Sequence, residues 1–298
     1  MIAGVGEARE FLVKEFMSSI VRTVDANSRV SRAIRIMVDN NIGSVVVTKE
    51  KSPCGIFTER DLLRLLRENR KAETIPVGEI GSPKIAKVDQ DQNSLEAARR
   101  MQEEKRRLLV FEGSKLIGIV TATDIVRVIY RTGRTFDISK VISKDVAAVD
   151  LNTPVKRVIQ LMDTKRIGSV ITTKHDAPIG IFTERDLLNR VSYLRTSLDR
   201  QVREVATRPL VTAELGIDGN EVAGAMVARR IKRLPLTKEG KIVGIVTARD
   251  LVQAYAALPQ EVEDELARHM RVMYGELCPL CNTRIDDHGL CACGVGGE

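Results

Sequence analysis

With 298 residues, 43% of them apolar, and a net charge of +7, the chain can bury two or more cores, filled by Val, Ile, Leu and Met because tryptophan is absent and aromatic residues make up 3%. Its longest stretches without Asp, Glu, Lys or Arg, Leu251 to Gln260 and His288 to Gly297, are ten residues each, against the roughly 20 apolar residues of a membrane-crossing helix. The three histidines, His175, His269 and His288, stand beside no Ser or Cys nucleophile, and the acidic residues recur at helix caps and not in facing pairs, which argues against an enzyme.

The first 15 residues carry Glu7, Glu10 and Glu15 among apolar positions, unlike a signal peptide, and the expected location is the cytoplasm. From Ile20 to Val24 the chain alternates as a short strand. A helix with Ser28 as N-cap and Val30, Ile34, Met37 and Val38 on one face follows, and Asn40 and Asn41 end it. Ser44 to Thr48 and Cys54 to Thr58 read as two strands, the second leading into a helix that bears Leu62, Leu63 and Leu66. Cys54 is expected to be a small buried hydrophobe.

This β-α-β-β-α unit recurs. It closes on GIFTERD at Gly55 to Asp61, GIVTATD at Gly118 to Asp124, GIFTERD at Gly180 to Asp186 and GIVTARD at Gly244 to Asp250, with starting glycines 63, 62 and 64 residues apart. That spacing exceeds the roughly 20 to 50 residues of a solenoid unit, so each repeat is a small domain. Copies one and three share one form and copies two and four another, giving an (AB)(AB) order. The second helix-strand unit starts near Ser94, the third near Thr153 as N-cap with Pro154 behind it. The fourth is the least regular, because Gly216, Gly219 and Gly224 fall where its first helix starts and runs.

The Thr-x-x-Asp spacing, Thr58 and Asp61, Thr121 and Asp124, Thr183 and Asp186, Thr247 and Asp250, forms a capping box without any ligand. The glycine three residues before each threonine needs another explanation. A strand running into a helix N-terminus also offers free N–H groups to an anion, and a carboxylate there can accept from the two hydroxyls of a ribose. Twelve residues before each heptapeptide glycine, the B repeats carry cations, Arg106-Arg107 and Lys232-Arg233, where the A repeats carry Gly43-Ser44 and Gly168-Ser169. Solvated helix ends would explain these pairs equally well.

Residues 259–298 hold a net −5 and the first 258 residues a net +12, so the repeat body is the basic part and suits anionic partners. Val262, Leu266, Met270 and Met273 form an apolar stripe at helical spacing, for packing on the body, on a second copy in a homodimer, or on a partner. Cys278, Cys281, Cys291 and Cys293 then bring four thiols together, the donor set of a structural Zn²⁺. The segment looks like a small zinc ribbon, but the second pair is separated by one residue instead of two, which leaves His288 as the alternative ligand. Disulfides are the competing reading, disfavoured in a cytoplasmic chain.

The glycine, threonine and aspartate pattern closing a β-α-β-β-α unit resembles the cystathionine β-synthase (CBS) domain, and two in tandem resemble a Bateman module. The resemblance covers about residues 16 to 258. It implies an α/β (α+β) fold in which repeats pair with pseudo-twofold symmetry: a first pair over 16–130 and a second over 131–258, preceded by segment 1–15 and followed by a helix over 259–276 and the tail 277–298. The family's archaeal regulatory proteins and the γ subunit of AMP-activated protein kinase are similar, the latter in carrying four repeats arranged as a disc. By resemblance, the clefts take adenosine derivatives (AMP, ADP, ATP or S-adenosylmethionine). Thr58, Asp61, Thr121, Asp124, Thr183, Asp186, Thr247 and Asp250 would hold ribose and phosphate, with Arg60, Arg185 and Arg249 from the same motif. Arg106, Arg107, Lys232 and Arg233 would face phosphates. The expected function is a non-catalytic adenine-nucleotide sensor acting on a regulated protein. The alternatives are a nucleic-acid-associated regulator using the basic body and zinc ribbon, and an interaction scaffold with vestigial sites.

Overall fold

The computed structural model describes residues 11–193 and 196–258. A short helix, α1 (Val13–Phe16), precedes four copies of one unit. Repeat 1 runs β1 (Thr23–Asp25), α2 (Val30–Asp39), β2 (Ser44–Lys49), β3 (Ser52–Thr58) and α3 (Glu59–Arg67). Repeat 2 runs β4 (Ala86–Val88), α4 (Ser94–Glu104), β5 (Leu108–Glu112), β6 (Lys115–Val120) and α5 (Ala122–Thr132). Repeat 3 has β7 (Ala148–Asp150), α6 (Val155–Thr164), β8 (Ser169–Lys174), β9 (Ala177–Thr183) and α7 (Glu184–Asp186), which continues as a π-helical stretch, Leu187–Tyr193. Repeat 4 has β10 (Ala213–Glu214), α8 (Gly219–Arg229), β11 (Arg233–Lys238), β12 (Lys241–Thr247) and α9 (Ala248–Ala256). The expected stripe of Val262, Leu266, Met270 and Met273 and the ligand set Cys278, Cys281, Cys291, Cys293 and His288 lie outside the described residues. No helix among the described residues is long and apolar enough to cross a membrane.

Each repeat is a three-stranded sheet in which the first strand lies parallel to the second and the second antiparallel to the third. A parallel neighbour can be reached only through a crossover, which the first helix supplies, whereas a tight turn joins the antiparallel pair. The turns at Glu50-Lys51 and His175-Asp176 have two successive positive φ angles, the geometry that matches strand twist in a two-residue hairpin.

Two details differ from the sequence reading. In the A repeats the first helix starts after Arg29 and Pro154, with no side-chain cap, instead of at Ser28 and Thr153. Backbone carbonyls from the segment after the second helix take the free N–H groups: Val30 and Ser31 donate to Ile75 and Ala72, Val155 and Lys156 to Arg200 and Leu198. Cys54 is exposed, not buried. Val47 stands opposite Gly55 and Thr48 opposite Pro53, so Cys54 is the extra residue of a β-bulge and its side chain leaves the core face. The same bulge recurs in all four hairpins. In repeat 4, α8 is capped by Asp218, which accepts from Asn220 and Glu221; Gly216, ahead of it, takes a positive φ of 111° in open space, while Gly219 and Gly224 have close neighbours. A Cβ on Gly219 would overlap the Phe136 ring, and one on Gly224 would lie 2.9 Å from Tyr130 Cε2.

Repeats pair by exchanging their lead-in segments. Ser18, ahead of repeat 1, bridges Ile119 of repeat 2, while Ser82, ahead of repeat 2, bridges Ile56 of repeat 1; Ser143 with Ile245 and Thr207 with Ile181 do the same for repeats 3 and 4. These bridges account for the heptapeptide glycines. A Cβ on Gly55 would sit 2.8 Å from the Ser82 carbonyl oxygen and one on Gly180 2.7 Å from that of Thr207. Between the sheets of repeats 1 and 2, Val46, Ile56 and Leu109 form a small apolar layer. The helices face the other pair. Repeats 2 and 4 share one continuous core, which includes Leu95, Ile125, Met226 and Leu251. Repeats 1 and 3 keep separate cores but trade one leucine each: Leu63 of α3 is buried in the core of repeat 3 and Leu188 in that of repeat 1.

Candidate ligand-binding site

In every repeat the third strand runs directly into the second helix, and the junction closes on itself. The Oδ2 atoms of Asp61, Asp124, Asp186 and Asp250 accept from the backbone N–H of Thr58, Thr121, Thr183 and Thr247 at 2.9, 2.7, 2.9 and 2.8 Å. The hydroxyls of Thr58, Thr121 and Thr183 donate to the same oxygens at 2.7, 2.6 and 2.7 Å. The amides of Asp61, Asp186 and Asp250 complete the box by donating to the threonine oxygens. At the first helical position, the N–H groups of Glu59, Glu184 and Ala248 donate to the carbonyls of Gly43, Gly168 and Lys232. The helix N-termini therefore have few donors left for an anion, and attraction for one has to come from side chains.

The four aspartates, alike in sequence, differ at their second oxygen. Asp186 Oδ1 accepts from the Thr207 hydroxyl at 2.7 Å, and Asp124 Oδ1 is bonded by Arg127. Asp61 Oδ1 has only the Arg64 guanidinium, at 3.7 Å, and Asp250 Oδ1 has no hydrogen bond among the described residues. Each pair of repeats thus retains one carboxylate able to accept from a further hydroxyl. Burial pushes the pKa of both Asp61 and Asp250 up, against the pull of the cap hydrogen bonds and of nearby arginines, Arg107 among those beside Asp61 and Arg233 among those beside Asp250.

Where the four repeats meet, the residues between threonine and aspartate in the A repeats cross over. Arg185 Nε lies 2.6 Å from Glu59 Oε1, and Arg60 Nη1 lies 3.4 Å from Glu184 Oε1. Arg60 also donates to the Ile167 carbonyl at 2.7 Å and Arg185 to Asn41 Oδ1 at 2.9 Å. The B-repeat cations join them. Lys232 Nζ lies 3.7 Å from Glu59 Oε2, Arg233 Nη2 lies 2.9 Å from Glu184 Oε2, and Arg107 Nη2 donates to the Gly43 carbonyl at 3.2 Å. Gly43 and Gly168 make room for this: a Cβ on Gly43 would be 3.0 Å from Lys232 Nζ, and one on Gly168 would overlap Arg233. Glu59 is 6% exposed; burial pushes its pKa up, but Lys232, Arg185, Arg107 and Arg233 outweigh that and hold it below the usual range. Burial lowers the pKa of Lys232 and of Arg107. Five cations surround the two glutamates, and the carboxylates of Asp61 and Asp250 and the Arg249 guanidinium also act on this cluster.

A profile of the CBS domain matches residues 13–68, 77–131, 138–193 and 202–257. The chain belongs to the CBS domain family. Protein MK0525 of Methanopyrus kandleri, itself uncharacterized, is 31% identical over 162 residues, 50% of this chain and 83% of that protein. The uncharacterized MJ1404 of Methanocaldococcus jannaschii is 24% identical over 278 residues, 86% of this chain and 65% of the other. Among solved structures, MJ1225 of Methanocaldococcus jannaschii matches in fold with a TM-score of 0.72 at 19% identity, covering 83% of this chain and all of that one.

Within the four CBS repeats, the structure brings Arg60, Arg107, Arg185, Lys232 and Arg233 together at the centre, so the B-repeat cations are not solvated helix ends. Arg106 points elsewhere and donates to the Ser82 hydroxyl at 2.7 Å, and Arg249 is exposed. Glu59 and Glu184, to which the Thr-x-x-Asp spacing assigns no role, organise the cluster. Their signal was present: the A repeats have Glu where the B repeats have Ala122 and Ala248, and glycine where the B repeats have a cation. Each exchange is complementary across the centre.

Proposed function

We propose that this CBS protein is a non-catalytic regulator that senses adenosine-derived ligands, AMP, ADP, ATP or S-adenosylmethionine, in the clefts between its paired repeats. The observation that carries the reading is that each module has both an open carboxylate oxygen, on Asp61 and on Asp250, and a B-repeat arginine at the centre, Arg107 and Arg233. A vicinal diol needs the first group and a phosphate the second. Thr58, Thr121, Thr183 and Thr247, with Asp124 and Asp186, complete the motif in the same clefts. Four cysteines, Cys278, Cys281, Cys291 and Cys293, with His288 as alternative, are proposed to hold a structural Zn²⁺ in the tail. Elemental analysis should then find about one Zn²⁺ per chain, lost in Cys278→Ser.

The test is a thermal-shift and calorimetric panel of adenosine, AMP, ADP, ATP, S-adenosylmethionine and an oligonucleotide at two salt concentrations. A ligand at 100 times its dissociation constant should stabilise the fold by about 2.7 kcal/mol, and Asp61→Ala combined with Asp250→Ala should remove most of that shift. Arg107→Ala and Arg233→Ala should weaken phosphate-bearing ligands by roughly one to two powers of ten and leave adenosine nearly unaffected. A shift with the oligonucleotide alone, steeply dependent on salt, would favour the nucleic-acid reading instead. No shift with any compound would leave an interaction scaffold.

A further inference from the structure

The central cations already have anions. Glu59 and Glu184 each present a carboxylate to the groups a phosphate would seek, Lys232 to Glu59 and Arg233 to Glu184, at 3.7 and 2.9 Å. The same two carboxylates hold repeat 1 to repeat 3, through Arg185 at 2.6 Å and Arg60 at 3.4 Å. A carboxylate and a phosphate oxygen are interchangeable partners for a guanidinium or an ammonium. Both glutamates lie at the first position of a helix, on the strand-to-helix turn, and reach the cations through their side chains alone.

We propose that Glu59 and Glu184 are the residues that set phosphate selectivity at the centre: internal carboxylates that occupy Lys232 and Arg233 until a ligand's phosphate displaces them. A ligand with one phosphate competes against a tethered anion at high effective concentration and gains less than it would with the cations free. A ligand with two or three phosphates supplies more charge than it displaces. Because the glutamates also bridge repeats 1 and 3, displacement loosens the contact between the two modules, which couples phosphate binding to their relative packing. The identity of the natural ligand rests on the nucleotide reading above; the competition itself does not, since free pyrophosphate probes it without adenosine.

Glu59→Gln and Glu184→Gln keep shape and remove one charge each. Titration calorimetry of the full chain should show pyrophosphate binding tightened about tenfold or more in each variant, the gain shrinking at high salt, with adenosine changed by less than about twofold. ATP should gain more than AMP. Glu104→Gln, which loses an exposed pair with Arg100, serves as the charge-matched control and should gain nothing. Melting curves check that each variant is folded; if Glu59→Gln is not, Glu184→Gln carries the test through Arg233. Pyrophosphate affinity unchanged or weakened in the folded variants overturns the proposal, as does an equal change for adenosine. If no adenosine compound binds any form while pyrophosphate still gains, the nucleotide reading falls and the competition stands.

Discussion

Repeats 1 and 3 are built from the same unit as repeats 2 and 4, yet the two classes meet their own kind differently. The B repeats merge their helices into one continuous core, and carry at its edge the cations Arg107, Lys232 and Arg233. The A repeats keep two cores, exchange Leu63 for Leu188, and close the join with reciprocal Glu–Arg pairs. One class is held by apolar area, which is indifferent to ligand. The other is held in part by charges that a ligand can compete for. A fold in which only one of the two joins is electrostatic can respond to an anion without losing its other join.

The largest test of that contrast is the leucine exchange. Leu63→Ala or Leu188→Ala should each cost about 2 to 5 kcal/mol, measured by urea unfolding, because each leaves a cavity in the other repeat's core. A loss well below this range would mean that the A-repeat join is purely ionic. Next come the heptapeptide glycines. Gly55→Ala and Gly180→Ala push a methyl into the carbonyls of Ser82 and Thr207 and should cost roughly 1 to 3 kcal/mol, whereas Gly118→Ala meets only the flexible Met17 thioether and should cost less. Equal losses would show that the lead-in exchange is equally rigid in both classes. The smallest effect is in the acid range. Glu59 has a lowered folded pKa, so its stabilisation is present above its ordinary value of 4.5 and is lost as pH falls through the folded value. Asp250 has a raised folded pKa and works oppositely: the folded state binds its proton more tightly, so stability declines as pH rises from the ordinary 3.8 through the raised value. Urea midpoints followed from pH 6 down to pH 3.5 should therefore fall less steeply in Glu59→Gln and more steeply in Asp250→Asn than in the wild type.

Much of the fold was legible because it is local. The hydrophobic periods gave the helices and strands of each unit, the asparagines at 40 and 41 ended α2, and the Thr-x-x-Asp boxes formed as the spacing required, since the partners are three residues apart. Cys54 is exposed and not buried as its place in the strand predicts, because a bulge, not alternation, decides which way it points. Ser28 and Thr153 lost their capping role to carbonyls more than 40 residues away in sequence, at Ile75 and Arg200.

The sequence by itself determined the repeat, its period, the alternation of two classes and the chemistry at each helix start. Only the tertiary structure decided that the recurrent glycine makes room for the lead-in segment of the paired repeat, that two of four identical aspartates keep an oxygen open, and that the cations of one class face the glutamates of the other. The physical reason is that these depend on groups from different repeats brought within a few ångströms, where close packing and charge act, and a linear pattern carries no distance between repeats.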